Sequence, residues 1–260
     1  MSSPVETDHE LAATIARQAG ELLLEVRAAA EAEGVDAKTT KSRGDLLSND
    51  FILAELARAR PDDAVLSEES KDDPVRLEAE RVWIVDPLDG TREFSEFGRT
   101  DWAVHVALVS RGTPIAAAVA LPALGEVLST AAPAVLPPAH GGAPRLVVSR
   151  TRPPSITSYV AGVLNAELVP MGSAGAKTMA VVRGEADVYA HGGGQYEWDS
   201  CAPVGVAAAA GLHVSRLDGS PLVYNQPNPY LPDLLVCRPE LASAVLAAIA
   251  SAPPEQTQPS

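Results

Sequence analysis

Two acidic residues in one turn carry the chemistry that the sequence suggests first. Asp86 and Asp89 stand three residues apart, directly after an apolar run at residues 82–85 that is typical of a buried strand. Two carboxylates this close repel each other, so they need a cation or a proton to coexist. Gly90 and Thr91 follow, where free backbone N–H groups at the start of a helix can hold an anion. Cation-binding carboxylates beside anion-binding amides predict a metal–phosphate site.

Further acids elsewhere in the chain are needed, because an isolated Asp-x-x-Asp is usually an ordinary turn. The motif Ser67-Glu68-Glu69-Ser70 lies upstream, and Trp198-Asp199 lies far downstream. Together with the Asp86 turn, these motifs resemble the pattern of the inositol monophosphatase superfamily, in the same order along the chain. The short form Asp-Gly-Thr-Arg-Glu-Phe at residues 89–94 resembles its CysQ-type branch, the 3'-phosphoadenosine 5'-phosphate (PAP) phosphatases. The resemblance extends from the first predicted helix to about Cys237.

The predicted metal ligands are carboxylates and one backbone carbonyl. Hard oxygen ligands, with no His or Cys nearby, favour Mg²⁺ over zinc or copper. The resemblance implies that Glu68 and Asp86 hold one ion together with the carbonyl of Leu88, and that Asp86, Asp89 and Asp199 hold a second. It implies two or three Mg²⁺ ions per site, and the residues leave inhibition by Li⁺ open.

Two of these acids have simpler interpretations when they are taken singly. Glu68 lies among Glu69, Asp72 and Asp73, so it could belong to a solvated acidic face. Asp199 precedes a helix predicted from residue 200, so it could be an N-cap, a role that is compatible with metal binding. The glycine run at 192–194 either gives the backbone room beside the site or forms a flexible loop.

The attacking water needs a base or an orienting group, and the resemblance points to Thr91 and Asp45. The family carries Thr-x-x-Asp sixteen residues before a proline, and Asp45 lies sixteen residues before Pro61. Here Ser42-Arg43-Gly44-Asp45 replaces the usual Thr-Ala-x-Asp. Asp50 is the competing candidate, although near the start of a second helix it would favour the helix dipole instead.

The predicted substrate contacts lie in two loops of the second half. Ser149-Arg150-Thr151-Arg152 resembles the Ser-Arg-Ser-His of PAP phosphatases, with Arg152 where a base-stacking His would stand. A guanidinium can also stack, or it can bind a second phosphate. Residues 172–177 resemble the family's Gly-Ser-Ser-Leu-Lys, one residue longer, although Lys177 could equally be an exposed helix lysine. The predicted substrate-binding residues are Gly90, Thr91, Ser149, Arg150, Arg152, Ser173, Lys177 and Asp199.

Composition limits the classes of partner. The formal net charge of −14 repels nucleic-acid backbones and anionic membranes, although bound cations still allow a small phosphate substrate. Apolar residues make up 46% of the 260 residues, which is sufficient for a sizeable core. Cys201 and Cys237 are expected to be reduced core thiols, and no signal peptide or membrane span is recognisable, which predicts a cytoplasmic protein.

The hydrophobic pattern predicts an α/β protein, and the resemblance specifies a layered αβαβα sandwich of the sugar-phosphatase type. In the first half the pattern predicts a capping box at Thr7 and Glu10, a helix to about Ala30, an exposed loop or hairpin at 38–45, a helix at about 46–60, a strand at 64–66 and an antiparallel meander after the Asp86 turn. In the second half it predicts strands at 146–149, 167–170, 187–191 and 233–237, helices at 154–165, 174–184, 200–211 and 239–251, and a disordered tail from Pro253.

The segment at 133–144 is rich in Pro, Gly and Ala and is the best candidate boundary. It divides the chain into an N-terminal α+β half, residues 1–140, with most metal ligands, and a C-terminal α/β half, residues 141–260, with Asp199 and the substrate loops. One site is expected between the halves.

The reaction that the resemblance implies is Mg²⁺-dependent hydrolysis of a phosphate monoester by an activated water, without a phosphoenzyme. PAP, converted to AMP, is the favoured substrate, and inositol monophosphate and fructose 1,6-bisphosphate are the alternatives of the same class. A haloacid-dehalogenase-type phosphatase is disfavoured, because its Asp-x-Asp has one residue between the acids where this chain has two. A phosphonucleotide-binding regulator without catalysis is a weaker alternative. The family usually forms homodimers, which the residues themselves do not reveal.

Overall fold

The computed structural model describes residues 6–139 and 141–253. The α-helices are α1 (Asp8–Glu33), α2 (Ala37–Ala59), α3 (Thr91–Ser95), α4 (Ser155–Leu164), α5 (Ala174–Val182), α6 (Glu197–Ala209) and α7 (Ala242–Ala250). The strands are β1 (Ala64–Ser67), β2 (Arg81–Asp89), β3 (Ala103–Ser110), β4 (Thr113–Leu121), β5 (Glu126–Ser129), β6 (Arg145–Ser149), β7 (Glu167–Met171), β8 (Val188–Tyr196), β9 (His213–Ser215) and β10 (Tyr230–Cys237). Short 3₁₀ helices lie at Pro74–Leu77, Pro122–Leu124 and Pro239–Leu241.

The first sheet has the order β1-β2-β3-β4-β5. β1 pairs with β2 in parallel, and the other neighbours are antiparallel, so the predicted meander after the Asp86 turn is present. β2 is buried from its second residue onwards, because both faces of the sheet are covered. The parallel register places Ser67 opposite Val85, so the ends of two acid-bearing strands lie side by side.

The second sheet has the order β7-β6-β8-β10-β9. β6 runs parallel to both β7 and β8, whereas β10 runs antiparallel to β8 and β9. The four strands predicted in this half are present, and the short β9 is an addition that its three residues do not reveal by periodicity. The predicted boundary segment joins the two sheets.

The layers follow from three apolar clusters. One face of the first sheet packs on α1 and α2 through residues such as Leu11, Ile52 and Trp83. The opposite face and the second sheet enclose α5 and α6, where Met179 and Val206 are fully covered. The outer face of the second sheet packs on α4 and α7. The order helices, sheet, helices, sheet, helices is the predicted αβαβα sandwich.

The start of α2 differs from the prediction. Asp36 caps the helix, because its carboxylate accepts hydrogen bonds from the backbone N–H groups of Lys38 at 3.0 Å and Thr39 at 3.1 Å. The exposed loop or hairpin predicted at 38–45 is therefore wrong, since these residues form the first two turns of α2. The capping box at Thr7 is confirmed at the start of α1.

Both cysteines are free and buried, as predicted, and burial raises the pKa of each thiol. Among the described residues, no helix combines the length and the apolar character that crossing a membrane requires. The predicted tail beyond Pro253 lies outside the described residues.

Candidate active site

Three carboxylates meet between the end of β2 and the start of α6. Asp86 and Asp89 stand at the end of β2, and Asp199 lies in the first turn of α6. One oxygen from each carboxylate lies within 4.8 Å of the others. Asp86 and Asp89 are buried at 1% and 7% exposure. The structure thus brings together three of the four predicted acidic ligands from segments that lie far apart in sequence.

The geometry of the β2 end explains why two acids of one strand point into the same site. The pairing of β2 with β3 is irregular between Asp86 and Asp89, because Pro87 has no N–H to donate to the ladder. Asp86 Oδ1 accepts a hydrogen bond from the backbone N–H of Leu88 at 3.0 Å. Gly90 then adopts a left-handed φ of 83°, which L side chains rarely adopt, and α3 follows.

Asp199 takes a different position in its helix from the one predicted. α6 begins at Glu197, so Asp199 is the third helical residue and not an N-cap in front of the helix. Its Oδ2 accepts a hydrogen bond from the backbone N–H of Tyr196 at 2.6 Å, which closes a capping box from the inside. Asp199 Oδ2 is therefore bonded to the start of α6, and the same carboxylate lies within the cluster with Asp86 and Asp89.

The donor set fits a hard divalent cation. Asp86 Oδ2 is buried and has no hydrogen-bond partner within the described residues, a costly state for a carboxylate oxygen unless a cation or proton pairs with it. The pKa of Asp86 is raised well above its usual range by burial and then by the charges of Glu68, Asp89 and Asp199. The carboxylates of Asp89 and Asp199 lie beside it and offer the oxygen ligands that Mg²⁺ prefers, and His105 Nδ1 lies 4.0 Å from Asp86 Oδ2.

Glu68 lies beside the cluster and outside its buried centre. The turn after β1 carries it, and its backbone N–H donates to the carbonyl of Val85 at 3.4 Å. Its side chain is exposed, yet burial by the surrounding protein, followed by the charges of Asp199 and Asp89, raises its pKa to about 7. Burial and the charge of Asp89 likewise raise the pKa of Asp199 to about 6. Glu68 therefore shares the electrostatic field of the three clustered acids.

Asp89 differs from the other acids because donors converge on its Oδ2. Ser173 Oγ donates to this oxygen, the backbone N–H of Gly175 donates at 2.7 Å, and His105 Nε2 lies 3.2 Å away. Burial raises the pKa of Asp89, but these three groups outweigh burial and lower it to about 2. Asp89 is therefore a charged carboxylate even before any cation binds.

His105 is the residue of the site that the sequence analysis missed. It is fully buried on β3, and its Nδ1 lies 3.0 Å from the carbonyl oxygen of Trp198. Burial lowers its pKa, but Asp89 and the Trp198 carbonyl outweigh that effect and raise it. The expectation of no His near the acids is wrong; the signal was one polar residue inside an otherwise apolar strand.

Asp45 is held in place because α2, which carries it, contacts the ends of β1 and β2, where the acidic residues stand. Ser48 Oγ donates to the carbonyl of Pro87 at 2.7 Å, and Ser67 Oγ donates to Asn49 Oδ1 at 2.7 Å. A Cβ at residue 44 would lie 2.8 Å from carbons of Leu88 and Phe94, so glycine at this position allows the close approach. The altered motif before Asp45 is thus a helical turn packed against Leu88 at the end of β2 and Phe94 in α3.

The environment of Asp45 separates it from its rival on the same helix. Asp45 is half-buried, and burial followed by the charge of Glu69 raises its pKa to about 7. Asp50 is exposed in the middle of α2, so its predicted place near the helix start is wrong. Thr91 Oγ1 donates to the carbonyl of Leu88 at 3.2 Å, which places its hydroxyl beside a predicted metal ligand.

The first substrate loop holds its two arginines in different states. Arg150 is paired with Glu93 and Glu96, each at 2.7 Å. Arg152 is exposed, and its backbone N–H donates to Ser149 Oγ at 3.2 Å. Ser149 and Arg152 line a cleft that His191, Gly193 and Gly194 complete. Arg152 is thus the arginine of this loop whose side chain faces solvent.

The second substrate loop is tied to the acids. Ser173 has a φ of 50°, in the left-handed region, and it caps α5 by accepting from the N–H of Ala176 at 2.9 Å. Lys177 is 5% exposed, so the alternative of an exposed helix lysine is wrong. Its ammonium donates to the carbonyls of Ser173 at 2.7 Å and Gly172 at 3.3 Å. Whether it also contacts substrate stays a prediction.

The site combines clustered carboxylates, one of them on a helix, with a neighbouring hydroxyl group. This is the kind of site that metal-dependent phosphatases have. A sequence profile of the inositol monophosphatase family matches residues 5–134 and 143–252. The chain belongs to the inositol monophosphatase family, which confirms the resemblance.

Individual relatives narrow the comparison. The chain is 53% identical over 256 residues to the 3'-phosphoadenosine 5'-phosphate phosphatase of Mycobacterium leprae, covering 94% of this chain and 93% of the relative. It is 55% identical over 247 residues to the protein of the same name from Mycobacterium tuberculosis, covering 90% of each. The solved structure of CysQ from Bacteroides thetaiotaomicron, a bacterial member of the family, is 27% identical with a TM-score of 0.77, covering 90% of this chain and 98% of that one.

The metal-free protein is expected to be more stable near about pH 5 than near about pH 8. The pKa values of Glu68 and Asp199 are raised to about 7 and about 6, so the folded state binds protons that the unfolded chain releases. Folding is therefore favoured as pH falls through about 7 toward the ordinary carboxylate range. The raised pKa of His105 acts in the same direction, because its contribution is lost as pH rises.

Thermal melts in EDTA across this pH range measure the effect. Saturating Mg²⁺ is expected to raise the melting temperature more at the high-pH end, where the acids are ionised and can bind it. A metal-free melting temperature that is higher at pH 8 than at pH 5 would contradict this assignment of charges.

Proposed function

We propose that this chain is a Mg²⁺-dependent phosphate monoester hydrolase whose substrate is PAP, which it converts to AMP and phosphate. The observation that carries the proposal is the cluster of Asp86, Asp89 and Asp199, in which both β2 acids are buried and Asp86 Oδ2 has no hydrogen-bond partner among the described residues. The relatives named PAP phosphatase, at 53–55% identity over nine-tenths of the chain, support the choice of substrate.

The residues that would hold Mg²⁺ are those that the sequence predicted. Asp86 would bridge two ions, Glu68 and the carbonyl of Leu88 would complete one, and Asp89 and Asp199 would complete the other. Bound Mg²⁺ supplies charge neutralisation for the phosphoryl group and lowers the pKa of a water for in-line attack. The orphaned Asp86 oxygen and the all-oxygen donor set support this assignment.

Thr91 and Asp45 are proposed to handle the attacking water. The Thr91 hydroxyl can orient the water, and the Asp45 carboxylate can accept its proton as the water oxygen attacks phosphorus. A carboxylate with a raised pKa suits this task, because a base works best when its pKa lies near the operating pH. The bond between phosphorus and the 3'-oxygen breaks, and this oxygen takes up a proton from solvent water to become the hydroxyl of AMP.

The remaining predicted contacts are proposed to hold the substrate around this centre. Gly90 and Thr91, at the start of α3, would offer backbone N–H groups to phosphoryl oxygens. The loops of the second half supply the contacts that distinguish substrates, and they are Ser149, Arg150, Arg152, Ser173 and Lys177. The exposure of Arg152 in a cleft with Ser149 supports its role more directly than the geometry supports the others.

A substrate panel tests the proposal. PAP, inositol 1-phosphate and fructose 1,6-bisphosphate are incubated with the full chain and Mg²⁺, with EDTA as the control, and released phosphate is measured. We expect kcat/KM to be highest for PAP and phosphate release to stop in EDTA. A higher kcat/KM for inositol 1-phosphate or fructose 1,6-bisphosphate than for PAP would favour the alternative phosphatase activity. Binding of PAP without hydrolysis would favour a non-catalytic regulator.

Arg152 is expected to contribute to binding PAP and little to binding inositol 1-phosphate. PAP carries two separated phosphates, and the metal site can neutralise one of them, so the other needs a cation from the protein. Arg152→Ala is expected to raise KM for PAP by about ten- to a hundredfold, since a charge-assisted contact contributes roughly 1.5–3 kcal/mol. Steady-state kinetics with both substrates measures the difference.

The matched control is Arg17→Ala, because Arg17 is also a surface arginine and lies on α1, paired with Glu21. It is expected to change neither KM. An equal, small effect of Arg152→Ala on both substrates would show that Arg152 is a solvated loop residue.

Four further properties complete the proposal. We propose two or three Mg²⁺ ions per site, inhibition by Li⁺ and a homodimer, as the family resemblance implies, and a cytoplasmic location, which the free, buried cysteines support. We also propose that residues 1–140 and 141–260 act as two halves, since the first sheet is built wholly before this boundary and the second wholly after it. Metal titration with and without Li⁺, and light scattering for the molar mass, test the first three.

A further inference from the structure

His105 is fully buried, and a polar group lies close to each of its ring nitrogens. Its Nδ1 lies 3.0 Å from the carbonyl oxygen of Trp198, and its Nε2 lies 3.2 Å from Asp89 Oδ2. The carbonyl oxygen of Trp198 and the carboxylate oxygen of Asp89 are both acceptors, so the ring contacts both favourably as an imidazolium, which carries a proton on each nitrogen. The ring orientation is therefore set by two groups at once.

The space for this ring depends on a glycine in the facing helix. A Cβ at Gly175 would lie 2.0 Å from His105 Nε2, so any larger residue would displace the imidazole from Asp89. Glycine inside a helix costs about 1 kcal/mol relative to alanine. The backbone N–H of Gly175 also donates to the same Asp89 oxygen at 2.7 Å. Gly175 and His105 thus both contact Asp89 Oδ2, and the absence of a side chain at Gly175 leaves the space that the imidazole occupies.

The two partners of His105 belong to the two segments that carry the buried acids. Asp89 ends β2 in the first half of the chain, and Trp198 immediately precedes Asp199 in the second half. Val104 and Val106, the neighbours of His105, point to the opposite face of the sheet and join the cluster against α1 and α2. His105 thus contacts both segments from β3.

We propose that His105 is a positioning residue for the metal site. Its Nε2 contacts Asp89 Oδ2, so that the other oxygen of this carboxylate faces the ion. Its Nδ1 contacts the Trp198 carbonyl, which ties the first turn of α6, with Asp199, to the end of β2. The inference rests on the metal site of the proposed function and not on the choice of phosphate ester. Groups that orient metal ligands typically account for about 10–100-fold in metal affinity.

The test is the affinity of the full chain for Mg²⁺ by isothermal titration calorimetry, without substrate. His105→Val removes both contacts and is expected to weaken Mg²⁺ binding by about 10–100-fold. Gly175→Ala keeps the histidine but pushes its ring away from Asp89, so it is expected to weaken Mg²⁺ binding as well. His105→Asn can still donate to the Trp198 carbonyl. Compared with His105→Val, it is expected to restore the melting temperature more than the affinity for Mg²⁺.

The matched control is Val106→Ala, which removes a buried side chain of the same strand on the opposite face. It is expected to lower the melting temperature and to leave the dissociation constant for Mg²⁺ unchanged. Wild-type affinity in both His105→Val and Gly175→Ala, or an equal loss in Val106→Ala, would overturn the positioning role. If the wild-type chain itself does not bind Mg²⁺, the proposed function fails first, and this inference fails with it.

Discussion

Asp86→Asn is expected to lower kcat/KM for PAP by more than about a hundredfold, a rise of about 2.7 kcal/mol in the barrier. Asp86 is buried and belongs to the acid cluster with Asp89 and Asp199, and its Oδ2 has no hydrogen-bond partner among the described residues. An amide of the same shape keeps the backbone contact to Leu88 but cannot bridge two cations with negative charge. Steady-state kinetics with Mg²⁺ measures the loss.

The same substitution separates catalysis from folding. Burial and three neighbouring acids disfavour the charged form of Asp86, so a neutral side chain is expected to raise the melting temperature of the metal-free protein. The control is Asp62→Asn, which removes an exposed carboxylate outside the site and is expected to change neither property. Activity within about tenfold of wild type, near 1.4 kcal/mol, would rule out the bridging role.

The acid cluster could be predicted because its determinants are local. Pro87 and Gly90 interrupt β2 where Asp86 and Asp89 stand, and a short apolar run before Glu68 predicts the neighbouring strand. Parallel pairing of β1 with β2 then places both acidic turns at one edge of the sheet. The prediction that Asp199 is a metal ligand required the family resemblance, because nothing in the sequence near α6 indicates which distant strand its carboxylate faces.

The features that were missed depend on packing between distant segments. Gly44 is an ordinary loop signal in the sequence, yet here it lets α2 approach Leu88 and Phe94. The burial of Lys177 follows from carbonyls in its own helix start, whereas periodicity alone permits an exposed face. His105 was hidden because its two partners come from other elements, so only the folded arrangement reveals them.

Asp45→Asn is expected to lower kcat for PAP by about 10²–10⁴-fold, the usual contribution of a general base. KM and the affinity for Mg²⁺ are expected to stay close to wild type, because a proton acceptor acts in the transition state and the amide keeps the shape of the side chain. The half-buried position of Asp45 on a helix anchored to both acidic turns supports this role. Steady-state kinetics and Mg²⁺ titration of the same preparation measure the three quantities.

Asp50→Asn is the matched control, because it makes the same chemical change on an exposed residue of the same helix. It is expected to leave kcat, KM and the melting temperature unchanged. A large fall in kcat for Asp50→Asn with none for Asp45→Asn would show that the alignment of this segment is wrong. A loss of Mg²⁺ affinity in Asp45→Asn equal to its loss of kcat would instead make Asp45 a metal ligand, since a base that only accepts the proton of water leaves the ions in place.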